Sequence, residues 1–196
     1  MPIWGWFFIA AVVVVAVAAL IVAVSAARRK RTERLKEQFG PEYERTVAEA
    51  GEQKAAEKEL VARERKRDKL VIRPLTRAAL EGYADRWRAV QTAFVDSPAA
   101  AVGQADRLVT EVMRERGYPV DDFDQRAADI SVDHPAVVEN YRAAHTIHLS
   151  QQNGDVGTEK QRQAFVHYRA LFERLLTADN NNGRPRGTDK TQEARA

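Results

Sequence analysis

Uncharged, mostly apolar residues run without a break from Ile3 to Ala27, and Arg28-Arg29-Lys30-Arg31 follows at once. A helix of about 25 residues is roughly 37 Å long, enough to cross a hydrocarbon core of about 30 Å with some tilt. Ser25 is the run's polar side chain, and it lies near the end. Trp4, Trp6, Phe7 and Phe8 gather at the other end, where amphipathic rings favour the headgroup level. A soluble helix this long keeps a polar face. The pattern therefore predicts a transmembrane anchor over residues 1–31. It meets the bilayer through residues 3–27, with Trp4, Trp6, Arg28, Arg29, Lys30 and Arg31 at its two interfaces.

The charges predict its orientation. No Lys or Arg precedes the run and four basic residues follow it, so the basic flank stays cytoplasmic and the N-terminus lies outside. Those cations also attract anionic headgroups, at about 1 kcal/mol each. A cleaved signal peptide is the alternative, since Val24-Ser25-Ala26 has the small residues of a cleavage site. That reading would place the body outside. It lacks a positive n-region, and the apolar run exceeds the usual 7–15 residues or so. Ala19, Ala23 and Ala27 recur at i, i+4, a spacing that lets two membrane helices approach closely.

The pattern then changes character. Thr32 to Phe39 continues the first helix until Gly40-Pro41 interrupts it, with Pro41 suited to a new first turn. Glu42 to Leu70 reads as one long charged helix with sparse apolar positions at Tyr43, Val47, Ala50, Leu60 and Val61. Between Glu52 and Lys69, twelve of eighteen residues are charged with both signs mixed, which is too polar for a firm coiled-coil seam. Pairs such as Glu59 with Arg63 support an exposed helix, and Gly51 weakens its middle by about 1 kcal/mol. Residues 32–73 are thus expected to form a stalk. Its locally basic end, Arg63 to Lys69, reads as a solvated face ahead of a lipid or nucleic-acid patch.

From Arg73-Pro74 onward, amphipathic periods return. Thr76 can cap a helix to about Phe94 with Leu80, Tyr83, Trp87, Val90 and Phe94 on one stripe. Ser97-Pro98 has the form of a cap and first turn for the next helix, which carries Val102, Ala105, Val109 and Val112 and stops at Gly117. A short helical piece around Asp122 to Ala128 follows. Asp133 and Pro135 open another helix with Val138, Tyr141, Ala144 or His145, and His148 on its stripe. Thr158-x-x-Gln161 has capping-box form ahead of Phe165, Tyr168, Phe172 and Leu175. Every period is helical, so the fold class is all-α: an anchor, a charged stalk and a small four-helix bundle over 74–177. Residues 178–196, with Asn180-Asn181-Asn182-Gly183 and alternating charges, read as a disordered tail.

Composition narrows the chemistry. About 165 residues follow the anchor, enough for one modest domain with extensions. The net charge of +3 does not read as a dedicated nucleic-acid binder. The absence of cysteine removes disulfides, thiolate metal sites and thiol nucleophiles. P-loops, nucleophile elbows and dinucleotide-binding glycine motifs are absent, and Gly154-Asp155-Val156-Gly157 joins two helices as a turn.

The segment from Arg116 to Pro135 is richest in special residues, with Asp121, Asp122, Asp124, Asp129, Asp133 and His134. Carboxylates at helix starts are expected as caps and dipole partners, and the spacing is not that of an EF-hand. An interaction surface is sought there first, at Tyr118, Asp121, Asp122 and Phe123. His145 and His148 lie one turn apart, but no H-E-x-x-H accompanies them. No metal or cofactor is expected.

Phe39-Gly-Pro-Glu-Tyr-Glu-Arg-Thr-Val47 and the stretch from Tyr83 to His145 carry a resemblance. The latter includes FVDSPAAAV and LVTEVMRERGYPVDDFDQRAADISVDHPAVVENYRAAH. Over about residues 33–176 the chain resembles a family of uncharacterised bacterial proteins, single-pass membrane or secreted. The resemblance implies a bacterial source and the same membrane-plus-helix layout, and it brings no activity or site residues with it. The expectation is a non-catalytic adaptor in the inner membrane that binds another protein and can self-associate. An enzyme with a carboxylate or histidine site in 121–148 is the alternative.

Overall fold

The computed structural model describes residues 4–154 and 156–182, with side chains described over 12–154 and 156–177. The chain is all-helical: among the described residues there are eight helices and no strand. It divides into two compact units, 1–61 and 62–196. The division falls inside a helix, upstream of the stalk-to-bundle boundary expected near residue 73.

In the first unit, α1 runs from Trp4 to Phe39 and carries the apolar run. It is long and apolar enough to cross a membrane, and its apolar window is unburied. The Trp4 and Trp6 side chains lie outside the described residues; Arg28, Arg29, Lys30 and Arg31 are exposed. The single charged helix expected over 42–70 is instead α2 (Pro41–Ala50) and α3 (Gln53–Arg67). Two glycines with positive φ make the breaks. Gly40 has φ 51° and Gly51 has φ 71°, with the Gly51 N–H donating to the Val47 carbonyl at 3.0 Å.

Chain reversal at Gly40 brings Lys36 to 3.3 Å from Glu44. α3 then meets α1 through Glu57. Its Oε1 accepts hydrogen bonds from Thr32 at 2.6 Å, Gln53 at 2.9 Å and Tyr43 at 3.2 Å. Burial pushes the Glu57 carboxyl up, but these hydrogen bonds outweigh it and hold the group below its usual value. Leu35, Phe39, Tyr43, Ala56 and Leu60 are all buried, so the sparse apolar positions cover surface rather than decorate a solvated rod.

The second unit holds α4 (Arg77–Asp96), α5 (Pro98–Arg116), α6 (Phe123–Asp133), α7 (Pro135–Gln152) and α8 (Gly157–Asn182). α5 packs against α4 and α8, α7 packs against α8, and α6 sits on α7. The stripes read from the sequence make the core: Tyr83, Trp87 and Val90; Val102, Ala105, Val109 and Val112; Val138, Tyr141 and Ala144; Phe165, Tyr168, Phe172 and Leu175. Trp87 stacks between Phe165 at 5.0 Å and Phe172 at 4.6 Å, which ties α4 to α8.

Thr76 caps α4 by accepting from Ala79 N at 3.2 Å, and Asp122 caps α6 by accepting from Gln125 N at 2.9 Å. Gly117 ends α5 at φ 95°. Its missing Cβ matters doubly, because a Cβ there would lie 2.5 Å from the Val71 carbonyl oxygen. That carbonyl belongs to the extended segment that Arg73 N pins to the Arg116 carbonyl at 2.8 Å.

Three expected caps are corrected. The Ser97 side chain makes no capping bond; its backbone closes α4 instead, with N donating to Ala93 O at 2.9 Å. Asp133 does not open α7. It is the last residue of α6, and His134 takes the boundary position. α8 begins at Gly157, which puts Thr158 inside the first turn rather than at its cap. α8 also runs on to Asn182, so residues 178–182 of the expected tail are helical. Residues 183–196 lie outside the described residues.

Candidate functional site

The expected surface around the α5–α6 turn resolves into an outer and an inner layer. Asp121 and Asp122 are exposed, and Asp124 is exposed beside them on the first turn of α6. Phe123 is half-buried. Its ring stacks on His145 at 3.6 Å, tilts against Tyr141 at 4.8 Å, and has the Arg126 guanidinium 5.9 Å away. Tyr118 does not belong to the surface. It is 3% exposed, because its ring faces the core and its hydroxyl donates to Asp133 Oδ2 at 2.6 Å.

Asp133 in turn accepts from Arg67 Nε on both oxygens, at 2.7 and 2.8 Å. Burial and the Asp133 charge push the Tyr118 hydroxyl well above its usual value, so it remains a donor. Arg67, Asp133 and Tyr118 thus form a charge-assisted lock joining the end of α3, the end of α6 and the α5–α6 turn.

A second polar set lies where α5, α7 and α8 meet. Tyr168 donates to Asp106 Oδ1 at 2.9 Å, while His145 Nδ1 stands 4.0 Å from the same oxygen. That separation is too long for a hydrogen bond. Burial pushes the His145 pKa below its usual value, although Asp106 opposes the shift. His148 lies next along α7, its ring centre 6.4 Å from that of His145, with Gln152 Nε2 3.1 Å from its Nε2. Among the described residues, no group of three or more His, Cys, Asp or Glu side chains is placed to hold a metal ion.

The chain matches no protein-family model, no curated protein and no solved structure.

Two of the residues that make this segment stand out in sequence, Asp129 and His134, prove to be buried. Asp129 is 1% exposed, hydrogen-bonded by Gln125 at 2.8 Å with Lys66 4.0 Å away. Burial pushes its carboxyl above the usual value. His134 is 5% exposed, and neither ring nitrogen has a hydrogen-bond partner among the described residues. Burial pushes its pKa down to about 4, against the pull of Asp133; Arg116, Arg174 and Arg67 reinforce the drop. Nothing in the linear pattern shows that this histidine is buried, because the arginines that act on it come from α3, α5 and α8.

Chemically, the α5–α6 turn and the start of α6 offer three exposed carboxylates next in sequence to the half-buried Phe123, with the Arg67–Asp133–Tyr118 set at the other end of α6. That combination suits a contact surface with a positively charged counterpart.

Proposed function

We propose that this chain is a single-pass protein of a bacterial inner membrane, with its N-terminus outside and its helical body in the cytoplasm. The body holds a protein partner. The observation that carries the reading is where apolar surface is left uncovered. Among the described residues, nine large hydrophobic side chains stand exposed between Val12 and Val24, against four elsewhere, namely Val71, Val95, Leu149 and Val166. A chain that buries its other apolar stripes but leaves the stretch of α1 from Val12 to Val24 exposed is suited to lipid around that stretch.

Arg28 to Arg31 support the cytoplasmic assignment of the body. Ala19, Ala23 and Ala27 support close approach of two copies within the bilayer. The role is tethering, which raises a partner's effective concentration at the membrane. The contact region is the exposed Asp121, Asp122 and Asp124 with Phe123 between them in sequence, and its charge favours a basic partner.

The test is topology. A reporter fused after Leu176 is read alongside protease protection of the native chain. Cytoplasmic signal with a protected body supports the proposal. External signal, with the mature chain starting near Ala27, overturns it in favour of an exported helical protein.

A further inference from the structure

α1 leaves its apolar stretch at Arg28, and within one turn α3 is back beside it. Thr32 and Gln53 both hydrogen-bond to the Glu57 carboxylate, and Arg31 reaches the Glu57 carbonyl at 3.4 Å. An open cleft of about 550 Å³ forms between the two helices. Arg28, Arg31, Lys54 and Lys58 bring four cations to its walls, against the single carboxylate of Glu57. That carboxylate is already engaged by three donors. Among the described residues, Arg28, Lys54 and Lys58 meet no carboxylate at ion-pair distance. Four cations gathered by tertiary folding around one committed anion leave a site with unspent positive charge, open to an incoming anion.

We propose that this cleft binds the phosphate-bearing headgroup of an anionic phospholipid. The inference rests on α1 spanning a bilayer. Arg28 is then the first charged residue past the hydrocarbon and lies at the depth of the lipid phosphates. A free phosphate shares the binding chemistry, but the cleft's place at the membrane exit favours the lipid. Arg28 and Arg31 arrive with the anchor. Lys54 and Lys58 arrive only because the chain breaks at Gly40 and again at Gly51, so they distinguish a built site from a basic flank.

The test uses the full chain, with Lys54→Gln and Lys58→Gln combined in one variant. Both lysines are exposed, and circular dichroism confirms that the variant keeps its helices. A matched control carries Lys69→Gln and Lys160→Gln. Native mass spectrometry from mixed micelles compares adducts of phosphatidylglycerol with those of phosphatidylcholine. Each cation near an anionic lipid surface is worth a factor of about five in binding, so the variant should lose roughly twenty-five-fold of its preference.

Retained preference in the control with loss in the variant supports the cleft. Equal preference in all three proteins overturns it, because the basic flank alone then suffices. Inorganic phosphate that binds the native chain while phosphatidylglycerol shows no preference overturns the lipid assignment. Failure of the membrane reading looks different: the native chain would not float with vesicles of either lipid composition.

Discussion

Replacing His134 tests whether its burial is as costly as the structure implies. The ring is 5% exposed and its pKa is lowered from 6.5 to about 4, chiefly by burial, with Arg116, Arg174 and Arg67 adding to the effect and Asp133 opposing it. A folded-state pKa below the unfolded one means that the unfolded chain takes the proton first as pH falls. Burial of the neutral ring therefore costs the fold nothing through this proton above about pH 6.5, and stability is lost between there and about pH 4 as the unfolded chain takes the proton up. A gap of roughly 2.5 units corresponds to about 3 kcal/mol, with a slope of up to about 1.4 kcal/mol per pH unit. For a domain of ordinary marginal stability this is a large share of the total.

His134→Leu removes the titration with a side chain of similar size. Urea unfolding across that pH range, followed by Trp87 fluorescence with Trp4 and Trp6 replaced by Phe, reads both proteins. Other shifted groups, including His145 and Asp129, remain in both and cancel in the difference. The variant's stability should fall less steeply with acid, and at neutral pH it should match or exceed the native chain, since two unpartnered ring nitrogens leave the interior. Parallel pH profiles would refute the reasoning, because the folded ring would then accept its proton as readily as the unfolded one.

Two further experiments probe the same unit. Gly117→Ala must hold a side chain in left-handed backbone and also displace the Val71 carbonyl from 2.5 Å; a loss of about 2–4 kcal/mol is expected in urea unfolding, and a loss under 1 kcal/mol would contradict it. A double-mutant cycle of Tyr118→Phe with Asp133→Ala should give a coupling of about 1–2 kcal/mol from the buried hydroxyl-to-carboxylate bond, whereas additive effects would show that Arg67 alone satisfies Asp133.

What could be read from the chain and what could not separates along physical lines. The core of the second unit was legible because Tyr83, Trp87 and Val90 on α4, or Phe165, Tyr168 and Phe172 on α8, repeat at helical spacing, and one packed face per helix is all that such spacing encodes. The caps at Thr76 and Asp122 were legible because capping is local. Asp133 was misread for the same reason. Its residue type suits a cap, but Arg67, 66 residues away in sequence, holds it more strongly than a neighbouring N–H would. Tyr118 looked like surface because the turn around it is polar, while in the fold it is buried and bonded to Asp133 at the end of α6. Asp106 with Tyr168 and the enclosure of His134 are likewise products of tertiary packing, which no window of sequence displays.

The fold-back of the charged segment was illegible because its apolar content is thin, and its consequence reaches the proposed function. In one straight helix, Thr32 and Glu57 would stand about 37 Å apart along the axis. In the structure their side chains are 2.6 Å apart. On the proposed reading, these twenty-five residues of chain are confined beside Thr32 and add no reach of their own, unlike a rod-like stalk. The absence of cysteine makes this directly measurable. Spin labels on Glu33→Cys and Lys54→Cys in the full chain should report a single short distance, against about 31 Å for a continuous helix. Glu57→Ala, which removes the acceptor shared by Thr32, Gln53 and Tyr43, should broaden that distance distribution. A narrow distribution near the straight-helix value in the unsubstituted background would show that the segment is a stalk after all, and the confinement argument would fall with it.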